Sequence, residues 1–451
     1  MKRKRKIKLS VWQLLALIYL AGTVFGSLVL ILPFATKSGQ STTYINALFT
    51  AASAVCITGL SPYDVATHWT LFGQLTILFL IQMSGLGFMT LVSAAFLIFK
   101  RGMGSSSRNA FMLDSRGKYN GIGTLLKRIV VGTLICETVG ALLLMISFIP
   151  KFGAGNGIYF SVWHSISAFC NAGFDLMGTV ENGGFVSLTG FTTDPVVSLT
   201  VSALIILGGL GFAVWGDVLD CKCNFKKFQL NTKVVLIVNA VLIVFGTLLF
   251  LLFERTTFSD MNFGEKLLAS FFAAVTPRSA GFASYDYTQM SDSGYLLTVI
   301  YMFIGGGSGS TAGGIRVGTF AVIMTGMFAV FRGRRDINIG KRRIDFSLLS
   351  QALAIFAAFL MCVVISTLAI GTIQPGTDGS NFKAILFECV SALSNAGLSM
   401  NFTPKLSVAS SVIVIILMYA GRVGILTLAL ALGEKKTAAE IRRPVDTLLI
   451  G

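Results

Sequence analysis

Five stretches of this chain, Trp12–Phe34, Trp69–Phe99, Val196–Val214, Val234–Phe253 and Leu348–Ile370, contain no Asp, Glu, Lys or Arg. Two more, Ile129–Ile149 and Val408–Leu432, hold one charge each, Glu137 and Arg422. A helix crosses a bilayer with about 20 mostly apolar residues, and seven runs of that length leave little room for a soluble fold. Only 12% of the 451 residues are charged, against roughly 25% in soluble proteins. The chain reads as a polytopic membrane protein. Trp12–Phe34 follows the basic segment MKRKRKIK but exceeds the 7–15 residues or so of a signal-peptide core and lacks a clear cleavage site, so it reads as a spanning helix.

A net charge of +16 invites a nucleic-acid reading, and its placement argues against one. With the amino terminus inside, most of the 36 Lys and Arg fall in segments 1–10, 100–128, 220–233, 331–346 and 433–451. The opposite side holds Lys37, Lys151, Arg255, Lys266, Arg278, Lys383 and Lys405, outnumbered there by acids. Basic loops gather on the cytoplasmic side, so both termini are expected in the cytoplasm, and the mildly acidic outer face attracts cations. Seven scattered cysteines and two histidines indicate neither a disulfide framework nor a zinc site.

Four segments align without gaps: FTAASAVCITGLS (Phe49–Ser61), WHSISAFCNAGFD (Trp163–Asp175), FFAAVTPRSAGFA (Phe271–Ala283) and FECVSALSNAGLS (Phe387–Ser399). Each begins with an aromatic residue and reaches a glycine ten positions later, at Gly59, Gly173, Gly281 and Gly397, at intervals near a quarter of the chain. A repeat of this kind is sought before any single motif is trusted. Each copy lies on the outer side between two apolar runs and is too short to cross a bilayer. It reads as a re-entrant hairpin, a form tolerated at membrane depth only where it is buried in protein or lines a water-filled path.

The expected fold is therefore an all-α membrane protein of four consecutive helix–pore-loop–helix repeats around one pseudo-fourfold pore, with eight spanning helices. The segments are a cytoplasmic amino terminus (1–10), repeat one (11–99), a loop (100–126), repeat two (127–219), a loop (220–232), repeat three (233–331), a loop (332–346), repeat four (347–432) and a cytoplasmic tail (433–451). A single hairpin could be an ordinary outer connection; four in register argue otherwise.

Glycine adopts φ > 0 without steric cost, which lets successive carbonyl oxygens turn to one side. A ring of carbonyls replaces the hydration shell of a cation, and helix carboxyl ends aimed inward add partial negative charge. No acid stands at the glycine position or the two before it, so the field suits a monovalent ion.

These residues resemble the pore-forming subunits of the Trk/Ktr/HKT cation transporters, most closely the bacterial Ktr potassium-uptake type, over nearly the whole chain. The most specific matches are TPRSAGF (Thr276–Phe282), the glycine loop at 305–314 and Gly421-Arg422-Val423-Gly424. The resemblance implies a selectivity filter of one strand per repeat: Ile57, Thr58 and Gly59; Asn171, Ala172 and Gly173; Ser279, Ala280 and Gly281; Asn395, Ala396 and Gly397. Serine at the first glycine marks sodium-preferring relatives, so Gly59 implies potassium as the transported ion. It further implies homodimers on a cytosolic ring of nucleotide-binding RCK proteins, with the nucleotide (ATP/ADP or NAD type) held by that partner and no cofactor in this chain. The setting is the bacterial plasma membrane, and the product is transport rather than catalysis.

The third unit carries FIGGGSGSTAGGIR (Phe303–Arg316) where the others read Ser84-Gly85-Leu86-Gly87, Gly208-Gly209-Leu210-Gly211 and Gly421-Arg422-Val423-Gly424. Its Gly307–Ala312 matches a dinucleotide fingerprint but lacks the strand–helix context and later acid that give that motif meaning, and no lysine follows for a P-loop. As one helix, Tyr295–Phe331 would run about 55 Å through a core of ~30 Å. The run must break, at Gly305, Gly306, Gly307, Ser308, Gly309, Ser310, Thr311, Ala312, Gly313 and Gly314. The resemblance assigns this loop as an intramembrane gate; a passive kink is the plainer alternative.

Arg422 is a charge deep in a membrane helix, where such residues face a cavity or partner. The resemblance places it in the pore as a barrier to cations, in reach of the gate loop. Glu137 receives no function, and Arg278 and His164 are expected to be structural. Two rival classes remain. One is a sodium-coupled secondary transporter of a small solute, against which the four units share one orientation. The other is a membrane enzyme using Glu137, Asp217 or His164, which no paired carboxylates or histidine cluster supports.

Overall fold

The computed structural model describes residues 11–38, 40–86, 122–179, 184–334, 336–340, 342–376, 381–425 and 427. The expected segments 1–10 and 433–451, Gly87 and nearly all of the 100–126 loop lie outside the described residues.

Among the described residues, four helices are long and apolar enough to cross a membrane: Val11–Leu30, the first part of Ile122–Phe169, Leu230–Phe253 and Phe346–Ile373. Their outward faces carry large apolar side chains, for example Phe25, Leu142, Phe245 and Ile365, all well over a third exposed. That is the pattern of a lipid-facing surface rather than of an interior helix in water. With lipid outside, contact between helices depends on close packing. Gly26, Gly140 and Gly246 provide it: a Cβ at each would collide with Leu80, Leu204 and Tyr301 respectively, side chains of the helix that closes the same unit.

Each long helix is followed by a short one. Tyr44–Cys56, Phe263–Val275 and Phe382–Ser394 stand alone, whereas the second is the end of Ile122–Phe169, set off by non-helical Gly153 three residues after Pro150. Their starts are chemically marked. Glu265 reaches back to the Asn262 N–H at 2.8 Å, and the Asn381 side chain accepts from Ala384 N at 2.8 Å, satisfying amide groups that the first helical turn leaves open.

The closing helices depart from a uniform set of spans. Leu71–Gly85, Pro195–Leu210, Asp292–Phe303 and Val408–Val423 are each too short to cross alone. Pro195–Leu210 continues into Phe212–Asp220 only after a 90° bend at Gly211 (φ 98°). Gly424 (φ 91°) ends Val408–Val423 in nearly the same conformation. The break expected in the third unit is present: Asp292–Phe303 and Val317–Phe331 are separate helices. The second unit breaks as well, which its unbroken hydrophobicity did not announce.

The closing helices also set the order of the units. Leu71–Gly85 packs on Ile122–Phe169, Pro195–Leu210 on Phe263–Val275, Asp292–Phe303 on Phe382–Ser394, and Val408–Val423 returns to Tyr44–Cys56. The packing therefore closes on itself.

One element corrects the all-α expectation. Ile337–Ile339 and Arg342–Ile344 form a small antiparallel hairpin in the expected 332–346 loop. In the first strand isoleucines flank Asn338, and Gly340 (φ 60°) supplies the turn that a hairpin requires.

Candidate functional site

The short helices end alike. Ile57 (φ 56°) and Asn395 (φ 52°) are left-handed helix caps, and Asn171 (φ 59°) and Ser279 (φ 69°) occupy the same register. Thr58 N, Ala172 N and Ala396 N each donate 2.8 Å to a carbonyl five residues back, closing the helix ends. The third end differs, Ala280 N bonding Thr276 O at 3.1 Å. Two residues after each left-handed residue the chain turns again through Gly59 (φ 98°), Gly173 (φ 71°), Gly281 (φ 81°) and Gly397 (φ 81°). A non-glycine residue at a left-handed position is uncommon; four of them in register, each followed by a glycine of positive φ, describe one repeated backbone device.

The four glycines meet. A Cβ added to Gly59 would lie 2.7 Å from the Ala172 carbonyl oxygen, one on Gly173 2.8 Å from that of Ala280, and one on Gly281 3.0 Å from that of Ala396. A Cβ on Gly397 would strike the Thr58 carbonyl oxygen and close the cycle. Each glycine thus packs against the peptide preceding the next unit's glycine, and no side chain can enter without displacing backbone. The short helices deliver their carboxyl ends, which carry partial negative charge, to this ring.

One face of the ring opens into a bowl of about 100 Å³, lined by residues that follow the glycines, among them Leu60, Asp175, Ala283 and Leu398, together with Asp64, Tyr63 and Asn401. Asp64 accepts from Thr67 N at 2.8 Å and Phe185 N at 3.0 Å, and Asp175 from Met177 N at 3.0 Å. Burial and the neighbouring Asp64 carboxylate push Asp175 up to about 7.

The other face is covered by the 305–314 loop. Gly307 N donates to Gly209 O at 2.8 Å and Phe212 N to Gly309 O at 3.2 Å, seating the loop in the break of the second unit's closing helix. Gly305 N bonds Ile315 O and Ile315 N bonds Phe303 O, pinching the loop at its base. Arg422 donates to Thr311 O, and through its other terminal nitrogen to Ser84 O at 3.0 Å. The expected meeting of arginine and loop is present, and Arg422 is 8% exposed.

Arg316 was not singled out in the sequence, although a charge bounding an apolar run was there to be noticed. Its guanidinium gathers Ala312 O, Ser310 Oγ (3.4 Å) and Gly307 O (3.5 Å), holding the loop from inside. Arg278 does more than the bracing expected of it: it donates to Asn239 Oδ1 and to Gly305 O at 3.4 Å, tying the third hairpin to the loop's first residue. Glu137 accepts from Gln82 Nε2 at 3.0 Å, a link between the first and second units, and His164 bonds Phe160 O at 2.7 Å within its own helix. Asp217 accepts from Gln229 N at 2.8 Å, away from the ring.

The model of the TrkH cation transport proteins matches residues 23–438. The chain belongs to the TrkH family. Among TrkH-family relatives, the potassium/sodium uptake protein NtpJ of Enterococcus hirae is 41% identical over 100% of this chain and 99% of its own. The Ktr system potassium uptake protein B of Bacillus subtilis is 36% identical over 97% and 96%. In fold, the chain resembles the crystal structure of the potassium transporter TrkH from Vibrio parahaemolyticus, with a TM-score of 0.73 at 17% identity, covering 96% of this chain and 87% of that one. Membership in the TrkH family makes this a multi-pass membrane protein of a cation transport family, and these relatives are transporters rather than enzymes.

Proposed function

We propose that this protein takes up potassium across the bacterial plasma membrane through the ring of four glycines. The carrying observation is the closed cycle in which Gly59, Gly173, Gly281 and Gly397 each pack on the next unit's backbone carbonyl. The ring itself presents backbone carbonyls and helix ends, so a cation within it meets dipoles rather than a carboxylate, a field suited to a weakly hydrated monovalent ion. Ile57–Gly59, Asn171–Gly173, Ser279–Gly281 and Asn395–Gly397 form the four filter strands. Four helix–hairpin–helix units surround the pore, with eight spans counted as the first helices and the closing helices taken together with the segments that continue them, and both termini in the cytoplasm. The names of two relatives support potassium, one alone and one together with sodium.

The loop Gly305–Gly314 acts as the gate, and Arg422 both latches it and places positive charge in the cation path. Regulation comes from outside the chain: a homodimer sits on a cytosolic nucleotide-binding RCK ring, as expected of a Ktr-type subunit. The lipid bilayer is its other partner.

Uptake of radioactive rubidium into proteoliposomes containing the purified chain tests this reading, with potassium, sodium and amino acids as competitors. Accumulation suppressed by potassium and indifferent to amino acids supports it. Sodium-driven amino-acid uptake with no rubidium entry would replace it with secondary transport of a small solute.

A further inference from the structure

The loop and the ring are joined by a continuous run of hydrogen bonds through two filter-strand side chains. Ser279 Oγ accepts from Gly313 N at 2.7 Å and donates to the Asn395 carbonyl at 2.8 Å. Asn395 in turn donates through Nδ2 to Thr58 Oγ1 and to Met418 O, each at 2.9 Å. A path thus leads from the loop to the third, fourth and first strands in sequence. The second strand has its own link: with the Asn171 carboxamide oriented to satisfy Ala168 O and Ile205 O, its oxygen accepts from Thr311 Oγ1 at 3.1 Å. Ser279, Asn395, Asn171 and Thr58 are fully buried, so water does not substitute for these partners.

We propose that the Ser279 hydroxyl couples the position of the loop to the cation affinity of the Asn395 carbonyl at the inner end of the filter. The proposal rests on the filter and gate reading above. A hydroxyl carries one proton and accepts through its lone pairs. When Gly313 N donates to Ser279 Oγ, the hydroxyl is polarised and its own donation to Asn395 O is strengthened. With the loop seated, that carbonyl is engaged by a donor and is a poor ligand for a cation. When the loop leaves, Ser279 Oγ loses its donor, the hydroxyl rotor is freed to turn, and Asn395 O is released to the ion. Linkage makes the effect reciprocal: an ion drawing on Asn395 O weakens the bond that holds the loop. Ser279 is a positioning residue, acting on the ion through a neighbouring carbonyl.

The test measures rubidium uptake by the full chain in proteoliposomes, as a function of rubidium concentration, for the unmodified protein and for Ser279→Ala, Ser279→Cys, Arg422→Ala and Ser279→Ala/Arg422→Ala. Ser279→Ala should lower KM for rubidium roughly fivefold and raise the maximal rate, because one net hydrogen bond is lost on each side of the hydroxyl. Ser279→Cys, a weaker donor of similar size, should fall between and carries the test if the alanine variant is not monodisperse. In the double variant the gains in rate should be less than multiplicative, since a loop already released by Arg422→Ala has no further anchor to lose. Unchanged KM in both single Ser279 variants, or strictly multiplicative rates, overturns the coupling while leaving the filter intact. An unmodified chain that accumulates no rubidium removes the filter reading itself.

Discussion

Arg422 donates to the carbonyl oxygen of Thr311, a residue 111 positions earlier in the chain. The bond joins the closing helix of the fourth unit to the loop that interrupts the third, and the same guanidinium reaches Ser84 O in the first unit at 3.0 Å. One side chain therefore holds three quarters of the molecule in register at the level of the loop. A buried charge is tolerated at such depth only with partners of this kind.

Removing that charge should loosen the loop and lower the electrostatic barrier together. Arg422→Ala is expected to raise rubidium leak in proteoliposomes by roughly tenfold, on the order of one lost charge-assisted hydrogen bond. Arg422→Lys keeps the charge without the two-ended reach of a guanidinium, so it should restore the barrier and leave the loop loose. Leak equal to that of the unmodified protein in both variants would exclude the latch.

Arg316 holds the loop from its own end. Arg316→Gln should raise the maximal uptake rate several-fold with little change in KM, since its bonds to Gly307, Ser310 and Ala312 lie within the loop and not at the ring. A change confined to KM would place Arg316 in ion binding instead.

The glycine ring has no room for a methyl group. Gly397→Ala combines φ 81° with a collision against the Thr58 carbonyl, and a left-handed alanine costs about 1 kcal/mol before any clash. Uptake should fall by more than tenfold in an assembled protein, checked by size-exclusion chromatography. Gly59→Ser, whose Cβ would lie 2.7 Å from the Ala172 carbonyl oxygen, should also lower uptake and should move the preference from potassium toward sodium, read as the sodium concentration that halves rubidium entry.

Asp175 sets the pH dependence of the bowl. Its pKa is raised to about 7 from an ordinary carboxylate value, so the carboxyl is protonated in the folded protein below that pH and charged above it. The sign for stability follows: the folded state gains from the protonated form at low pH, and this contribution is lost as pH rises from about 4 through about 7. For transport the charge matters in the opposite sense. Apparent KM for rubidium should fall as external pH rises from 6 to 8, and Asp175→Asn should flatten that profile. A slope that survives in Asp175→Asn would assign the titration to another group.

Much of this architecture was legible without coordinates. Uncharged runs of bilayer length, a glycine repeated near every quarter of the chain and a run too long to be one membrane helix are local properties of sequence. They depend on hydrophobic length and on the φ freedom of glycine, which a residue carries wherever it is placed. The break at Gly211 was not legible, because Gly208-Gly209-Leu210-Gly211 reads as an apolar helix until the loop is seen seated against it. Nor were the bonds of Arg316, which need the loop folded back on its own base, or those of the Ser279 side chain, whose partners Gly313 and Asn395 lie far away in the chain.

The amino-acid sequence by itself determined that this chain enters a membrane, that four glycine-bearing segments recur along it, and which backbone positions bend. Tertiary structure alone decided that the four bends close into one ring, that the loop lies across one of its faces, and that Asn395 O is held by Ser279. The reason is physical: hydrophobic length and backbone freedom belong to single residues, whereas a hydrogen bond belongs to two groups, and only the fold brings them within 3 Å of one another.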